Sequence, residues 1–372
     1  MKICIWGEVA TALKGETPGG GELQISLLSK ALARFGNKVI IVDHENQEEF
    51  ITQDDINVVP IKDWNKGLRI IRAFTHRFPQ LYKTLIKQNA DVYYCRMRDF
   101  RHIIAYRVAR KVGAKFVFGL ADGLDSLNFA GRCKYEYFTK KAGLWWFFDI
   151  VFSELIHYWL LRKSDLVLAQ HEGQAIILKK KKINSIVFPS LIDIKEWPEV
   201  PNPDKSDFIY VGSLAKNKGF DKFYTLVINN PSYTYKILGM PRDKTGLRYY
   251  NKLKGMKNVK LFGRLDHHST IRQIFNARAL ISTSPVEGFP NIFLEAWACG
   301  TPVLSLYVDP GNVIQKYKLG YFAGGNVDNL VNAMACVDLD KEYSIRAMDY
   351  IKKNHMLTAG RIQAINELFS SI

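Results

Sequence analysis

The chain has 372 residues, 47% of them hydrophobic and 24% charged, which excludes a mainly disordered protein; its length suits two α/β domains better than a single core. A formal net charge of +16 predicts attraction to anionic partners. Five cysteines, Cys4, Cys95, Cys133, Cys299 and Cys336, show no paired spacing, which argues for a reducing compartment and against a zinc site or a disulfide framework.

The N-terminal apolar run is too short for a signal peptide, so Lys2 to Trp6 is predicted as a first strand. Thr17-Pro18-Gly19-Gly20-Gly21-Glu22 follows it and leads into an apolar helical pattern through Leu23, Ile25, Leu28 and Leu32. Glycines let backbone approach a ligand closely and the helix start supplies N–H donors. The turn is nonetheless a common strand-to-helix connection and is not GxGxxG. Further short strands are expected at Val39 to Val42, Val58 to Ile61, Val92 to Cys95, Lys115 to Leu120, Leu166 to Ala169 and Ser185 to Phe188. With helical patterns between them they predict a parallel, doubly wound sheet.

Between Lys62 and Lys115 stand fourteen Lys and Arg against three Asp. A solvated basic surface explains single residues; the cluster as a whole fits an anionic membrane surface or a phosphate-bearing acceptor. Nucleic acid is the rival anion, and no helix-turn-helix, zinc-finger spacing, ribonucleoprotein motif or GxxG module supports it. Leu144 to Leu161 (LWWFFDIVFSELIHYWLL) is apolar and aromatic but interrupted by Asp149, Ser153, Glu154 and His157, so it is not a convincing span. Asp149, Ser153 and His157 form a narrow polar stripe on a helix. Burial of the wide apolar face in the core is the commoner arrangement. A membrane-surface helix, flanked by Lys134, Lys140, Lys141, Arg162 and Lys163, is the alternative.

Glu199-Val200-Pro201-Asn202-Pro203-Asp204-Lys205-Ser206 is the best linker in the chain. The β-α alternation restarts after it, with strands expected at Asp207 to Val211, Tyr235 to Leu238, Val259 to Phe262, Ala279 to Ser282 and Val303 to Ser305. The domains are therefore drawn at 1–200 and 201–342, with a helical tail over 343–372. Ser284 to Leu306, SPVEGFPNIFLEAWACGTPVLSL, is the most telling stretch. Phe289-Pro290-Asn291 suits a helix start, with Asn as a capping residue, and the helix is expected to run to about Cys299 and stop at Gly300. Glu287 then sits in the loop before the helix and Glu295 inside it. Two carboxylates able to accept from hydroxyls flank a helix end that favours phosphate, an arrangement suited to a nucleotide sugar. Acids near helix starts are also common for dipole reasons alone. Here the helix is otherwise apolar, so Glu295 is expected in a mostly buried setting that demands partners.

With its EGFPN and EA-x-ACG-x-PV wording, this stretch resembles the E-x7-E signature of retaining glycosyltransferases of the GT-B type, family 4. The resemblance implies an α/β GT-B fold, two Rossmann-like doubly wound domains facing across a cleft, with a tail crossing back to the N-terminal domain. It implies an acceptor-binding N-terminal domain and a nucleotide-sugar-binding C-terminal one. On it, Glu287 contacts hydroxyls of the donor sugar, Glu295 holds the ribose hydroxyls, and backbone at Gly288, Phe289, Pro290, Asn291 and Ile292 meets sugar and diphosphate. Gly20 and Gly21 match the family's glycine pair near donor phosphates or acceptor. Val211-Gly212-Ser213-Leu214-Ala215-Lys216-Asn217-Lys218-Gly219 matches a Gly-Arg-Leu...Lys-Gly stretch whose cations neutralise the departing diphosphate. Lys218 matches the Lys, whereas Ser213 stands where Arg is usual and supplies no charge; Lys216 or Arg264 could substitute. Leu261-Phe262-Gly263-Arg264-Leu265 resembles the turn that holds the base, with His267 and His268 read as loop residues. Asp122, after the strand ending near Leu120, matches a position where many relatives place His or Asp near the donor sugar; a solvent-side turn Asp is the ordinary reading. Asp338-Leu339-Asp340 has DxD spacing but lies far from the signature, so no metal and no cofactor is expected.

The expected reaction is transfer of a sugar from a nucleotide diphosphate, UDP favoured, to a hydroxyl of a glycan or lipid-linked acceptor in cell-surface polysaccharide synthesis. The expected place is cytoplasmic, peripheral at the inner membrane face. Ser213 keeps a non-catalytic sugar-nucleotide or glycan-binding relative open. A nucleic-acid binder is the third class.

Overall fold

The computed structural model describes residues 1–14, 19–45, 48–68, 71–126, 144–193, 205–339 and 342–372. Thr17, Pro18, Arg69, Cys133, Lys134, Lys140, Lys141, the linker from Glu199 to Asp204, and Asp340 lie outside them. The chain divides into two compact units, Met1–Leu191 with Leu357–Ile372, and Ile192–Met356.

In the first unit the order is β1 (Lys2–Trp6), α1 (Ala10–Leu13), α2 (Gly20–Arg34), β2 (Lys38–Asp43), β3 (Phe50–Ile51), β4 (Asn57–Pro60), α3 (Phe78–Gln88), β5 (Val92–Arg96), α4 (His102–Val112), β6 (Lys115–Gly119), α5 (Leu144–Lys163), β7 (Leu166–Ala169), α6 (Glu172–Lys180) and β8 (Ser185–Val187). The strands form one sheet, β3-β4-β2-β1-β5-β6-β7-β8, parallel throughout except for the β3–β4 pair. Side chains alternate across it as the two-residue period requires. From β1, Cys4 and Trp6 enter one core with Tyr93, Cys95 and Phe118. Ile3 and Ile5 enter the other with Ile25, Leu28 and Tyr94. A sheet covered on both faces needs such apolar strands, and this explains why they were readable as apolar runs.

The second unit runs β9 (Asp207–Val211), α7 (Phe220–Asn229), β10 (Thr234–Leu238), α8 (Lys244–Leu253), β11 (Val259–Gly263), α9 (His267–Phe275), β12 (Ala279–Ser282), α10 (Asn291–Ala298), β13 (Val303–Ser305), α11 (Val313–Lys316), β14 (Gly320–Phe322), α12 (Val327–Cys336) and α13 (Tyr343–Asn354). Its sheet is wholly parallel, β11-β10-β9-β12-β13-β14. Trp297 of α10 is fully buried, and its indole N–H donates to Leu319 O at 2.7 Å. Tyr343 of α13 donates to the same carbonyl, also at 2.7 Å, which fastens α13 to the second unit. The expected tail over 343–372 is thus two helices with different homes. Only α14 (Ala359–Ser370) belongs to the first unit, where Ile365 and Phe369 join the core beside Tyr94. The second unit likewise begins earlier than the linker, at Ile192, whose N–H donates to His355 O at 3.0 Å.

Candidate functional site

In the second sheet, successive strands run outward in opposite directions from the central pair β9 and β12. Ligands of open α/β sheets bind outside the carboxyl ends of strands at such a reversal. Three chain segments meet this edge.

The first is the loop from Gly212 to Gly219. Asp243 fixes it by accepting from Lys216 N at 2.8 Å while capping α8 through Gly246 N at 2.7 Å. The loop lies so close to α8 that a Cβ on Gly246 would come within 1.7 Å of Leu214 O. A 3-10 turn, Lys216–Lys218, ends at Gly219 with φ +66°, and a Cβ there would lie 2.0 Å from Thr283 O. Thr283 Oγ1 in turn donates to Gly219 O at 2.9 Å. The end of β12 therefore carries the Lys218 turn directly, and Lys218 Nζ reaches Glu287 Oε1 at 2.5 Å. Ser213 is half-buried, and its carbonyl accepts from the Tyr210 hydroxyl at 3.2 Å. Burial, with the Glu287 charge adding, pushes the Tyr210 phenol well above its usual range, so it stays a neutral donor.

The second segment is the loop and helix from Ser284. α10 starts one residue earlier than a capping Asn would place it: Pro290 is the N-cap and Asn291 the first helical residue. Pro290 has no side-chain acceptor and no side chain caps the helix; Phe293 N–H donates to Pro290 O at 3.0 Å, and a helix start without a side-chain cap suits a bound anion. Phe289 is core, packed on Trp297 and His355. Gly288 and Pro290 are buried as well, while Asn291 and Ile292 are half-buried. Any ligand contact at Phe289 and Pro290 thus falls to backbone.

The third is the turn after β11. Gly263 O accepts from Gly239 N at 2.7 Å, Arg264 is exposed and Leu265 packs on the core. Asp266 caps α9 by accepting from Ser269 N at 2.8 Å. This sets His267 as the first helical residue, its Nε2 3.2 Å from Glu295 Oε1. His267 is a helix residue rather than a loop residue, and it supplies the partner that the half-buried Glu295 required. The hydrogen bond to Glu295 raises the imidazole pKa above its ordinary value, against the opposing effect of burial. The signal for it was the Asp266 cap three residues before Ser269.

The other expected site residues lie in the first unit, also at the carboxyl edge of its sheet. Gly20 and Gly21 open α2, Gly21 against Met97 just beyond β5, and Glu22 accepts from Gly19 N at 2.8 Å. Asp122 is exposed; its N–H donates to Asp125 at 3.0 Å and its carbonyl accepts from Gln174 at 3.1 Å. Asp125 is the buried acid of this turn and pairs with Arg98, which also binds Glu154 of α5. Sequence reasoning missed a second cluster here. Trp6, His44, Trp64 and Arg101 stack together, and Glu8 lies 3.3 Å from His44 and 3.6 Å from Arg101.

Two expectations need correction. Several of the fourteen cations between Lys62 and Lys115 are not free surface charge: Arg96 is buried, the Arg98 side chain is buried against Asp125, Arg101 is paired with Asp99, and Arg110, though exposed, is paired with Asp165 at 2.5 Å. In the described part of the helix over Leu144 to Leu161, the side chains from Val151 onward, the apolar residues are not all buried. Among its described side chains Glu154 and His157 point inward with Leu160 and Leu161, while Phe152 and Leu155 are 57% and 64% exposed. Asp338 pairs with Arg278 at 2.6 Å. Among the described residues no group of three His, Cys, Asp or Glu is placed to hold a metal, and no helix is long and apolar enough to cross a membrane.

Residues 192–354, nearly the whole of the second unit, match the family described as glycosyl transferases group 1. The phosphatidylinositol N-acetylglucosaminyltransferase gpi3 subunit of Schizosaccharomyces pombe is 21% identical over 348 residues, covering 87% of this chain and 70% of that protein. Sucrose-phosphate synthase from Thermosynechococcus elongatus superposes with a TM-score of 0.77 at 13% identity, covering 100% of both chains. The Anabaena protein HepE in complex with UDP and glucose gives a TM-score of 0.71 at 16% identity, covering 100% of this chain and 98% of that one. The fold is a two-domain α/β fold of the GT-B type.

Proposed function

We propose that this glycosyl transferases group 1 domain binds a nucleotide diphosphate sugar, a UDP-sugar foremost, and that the chain is a retaining family 4 enzyme moving the sugar to an acceptor hydroxyl. One observation carries the reading: Glu287, paired with Lys218, and Glu295, hydrogen-bonded to His267, flank the start of α10, which no side chain caps, at the centre of the sheet edge. A diphosphate at that helix end meets the positive end of the helix dipole and Lys218. The ammonium has three donors, so it can keep Glu287 and still bond phosphate oxygen. Glu295, oriented by His267, accepts from vicinal ribose hydroxyls, and Glu287 does the same for the sugar. Gly212, Ser213, Arg264 and Leu265 complete the donor site of the second unit, and the first unit, with Gly20, Gly21 and Asp122 at the carboxyl edge of its own sheet, binds the acceptor.

Turnover then consists of stabilising the leaving diphosphate by preorganised charge and dipole, with reactants held in register. The leaving phosphate helps deprotonate the acceptor on the same face, which retains the anomeric configuration without a covalent intermediate. We assign no metal or cofactor to the step, because Lys218, Lys216 and Arg264 bring cationic charge to this edge; full activity in EDTA is the expected result. The similarity to a phosphatidylinositol N-acetylglucosaminyltransferase subunit and the basic first unit favour a glycan acceptor carried on lipid, met at the cytoplasmic face of a membrane during surface polysaccharide synthesis. No nucleic acid is part of this reading.

Calorimetry against UDP-, GDP-, ADP- and dTDP-sugars, with Glu295→Ala as control, tests the site. A selective ligand lost in the variant supports it, and failure of a folded protein to bind any of them overturns it. Ser213 favours one second reading, a binding protein without turnover. It predicts donor affinity with neither transfer nor donor hydrolysis, and restored turnover in Ser213→Arg would point to the missing cation.

A further inference from the structure

An apolar groove of about 480 Å³ opens on the first unit between α3, α4 and α5, within the size range of ligand sites. Phe78, Tyr82, Ile103, Phe152 and Ile156 wall it, and Arg101 and Arg107 stand at it. Its aromatic rings form a continuous row, Phe74 to Phe78 at 5.3 Å, Phe78 to Phe100 at 5.9 Å and Phe100 to Phe152 at 6.2 Å. The row runs out to solvent at both ends, with Phe74 73% and Phe152 57% exposed.

The surroundings define what fits. α5 is turned with Glu154 inward on Arg98 and His157 inward on the carbonyl of Asp125, so that Phe152, Leu155 and Trp159 face out beside the groove. Leu68 and Ile71, preceding α3, are exposed too. α3 and α4 carry Lys83, Lys87, Arg107, Arg110 and Lys111 and not one Asp or Glu. Arg101 is neutralised by Asp99 and Glu8, whereas Arg107 is exposed with no ion pair among the described residues. Lys111 lies over the ring of Tyr82 in the groove wall. An occupant must therefore combine an apolar chain with a negative group. Exposed aromatics and aliphatics ringed by cations are the composition of a surface that sits in the headgroup region of an acidic bilayer.

We propose that this groove seats a hydrocarbon chain of an anionic phospholipid, with its phosphate at Arg107 and Lys111, and so docks the face formed by α3, α4 and α5 on an acidic membrane. The proposal rests on the reading of a lipid-borne acceptor and gives it a place on the first unit.

Flotation of the full chain with phosphatidylcholine vesicles, with and without phosphatidylglycerol, tests it, using Phe74→Ser with Phe152→Ser and, separately, Arg107→Glu with Lys111→Glu. The expected result is binding only to the phosphatidylglycerol vesicles, weakened about tenfold or more by either pair. At high salt the wild type keeps part of its binding through the apolar contacts, and the Phe pair loses that remainder. UDP-sugar affinity, measured by calorimetry in every variant, stays at the wild-type level. Equal binding to neutral vesicles overturns the proposal, as does undiminished binding by the Phe pair. A dimer that the Phe pair splits without affecting flotation also overturns it, since the groove would then hold a second copy. Loss of donor binding in the wild type, with vesicle binding intact, would sink the functional reading and leave the groove standing.

Discussion

The carboxyl edges of the two sheets are built from different material. On the second sheet the edge is largely backbone: Gly219 pressed on Thr283, Gly246 on Leu214, and an uncapped helix start. On the first it is made of side chains, Trp6, Trp64, His44 and Arg101 in one cluster and Arg98, Asp125, Glu154 and His157 in another. An edge made of backbone leaves short local signatures of Gly and Pro. One made of long-range side-chain contacts leaves none, because its members are spread through the chain and meet only on folding.

The largest expected effect probes whether the second edge is as rigid as its backbone implies. Trp297→Ala should cost about 3–5 kcal/mol by emptying the space under α10, read as a shift in denaturant midpoint. Retention of midpoint and donor affinity together would show that the loop, not the helix beneath it, holds the site. Lys218→Met should lower kcat about 10²–10³-fold with little change in stability, measured by steady-state transfer or donor hydrolysis. Glu295→Ala removes hydrogen bonds to a charged group, worth about 1.5–3 kcal/mol, so donor affinity should fall tenfold or more in calorimetry.

A smaller effect separates the units by pH. Burial, with the Arg101 charge adding, holds His44 at about 4, and burial holds His157 at about 4 against the opposing pull of Asp125. Folded values below the ordinary 6.5 mean that the unfolded chain binds more protons on acidification. This stability is therefore present above about 6.5 and lost as pH falls toward 4. His267 has the opposite sign: its pKa is raised, so its contribution is full below 6.5 and fades as pH rises through the folded value. Hydrogen exchange at about pH 7 and about pH 5 should show protection falling in β1, β2 and β5 and holding in β9 and β12. The smallest expected change is in His267→Gln, which should weaken donor binding only a few-fold and remove its decline at alkaline pH. An unchanged pH profile in that variant would deny His267 its orienting role.

Legibility followed the same division. The parallel strands were readable because both faces of each sheet are covered, leaving unbroken apolar runs such as Ile3 to Trp6 and Ala279 to Ile281. Two strands escaped: β3, two residues on an antiparallel edge, and β14, Gly320–Phe322, too short to carry a period. The segment around Glu287 was legible from its Gly, Pro and Asn. The roles of His267 and of Glu154 were not, since each depends on a partner 28 or 56 residues away. α5 misled in orientation because apolar content was read as burial. The Arg98 side chain holds Glu154 of the helix inward instead.

The chain enters the second unit at Ile192 and leaves at Met356, and these two residues form a bridge side by side. Topologically the second unit is an insertion within the first. Its strands all come from one unbroken stretch, whereas the first unit needs Ile365 and Phe369 of α14 from beyond that stretch. Nonsense codons between Met356 and Ala359 should therefore yield chains whose second unit folds while the first exposes the core beneath Tyr94.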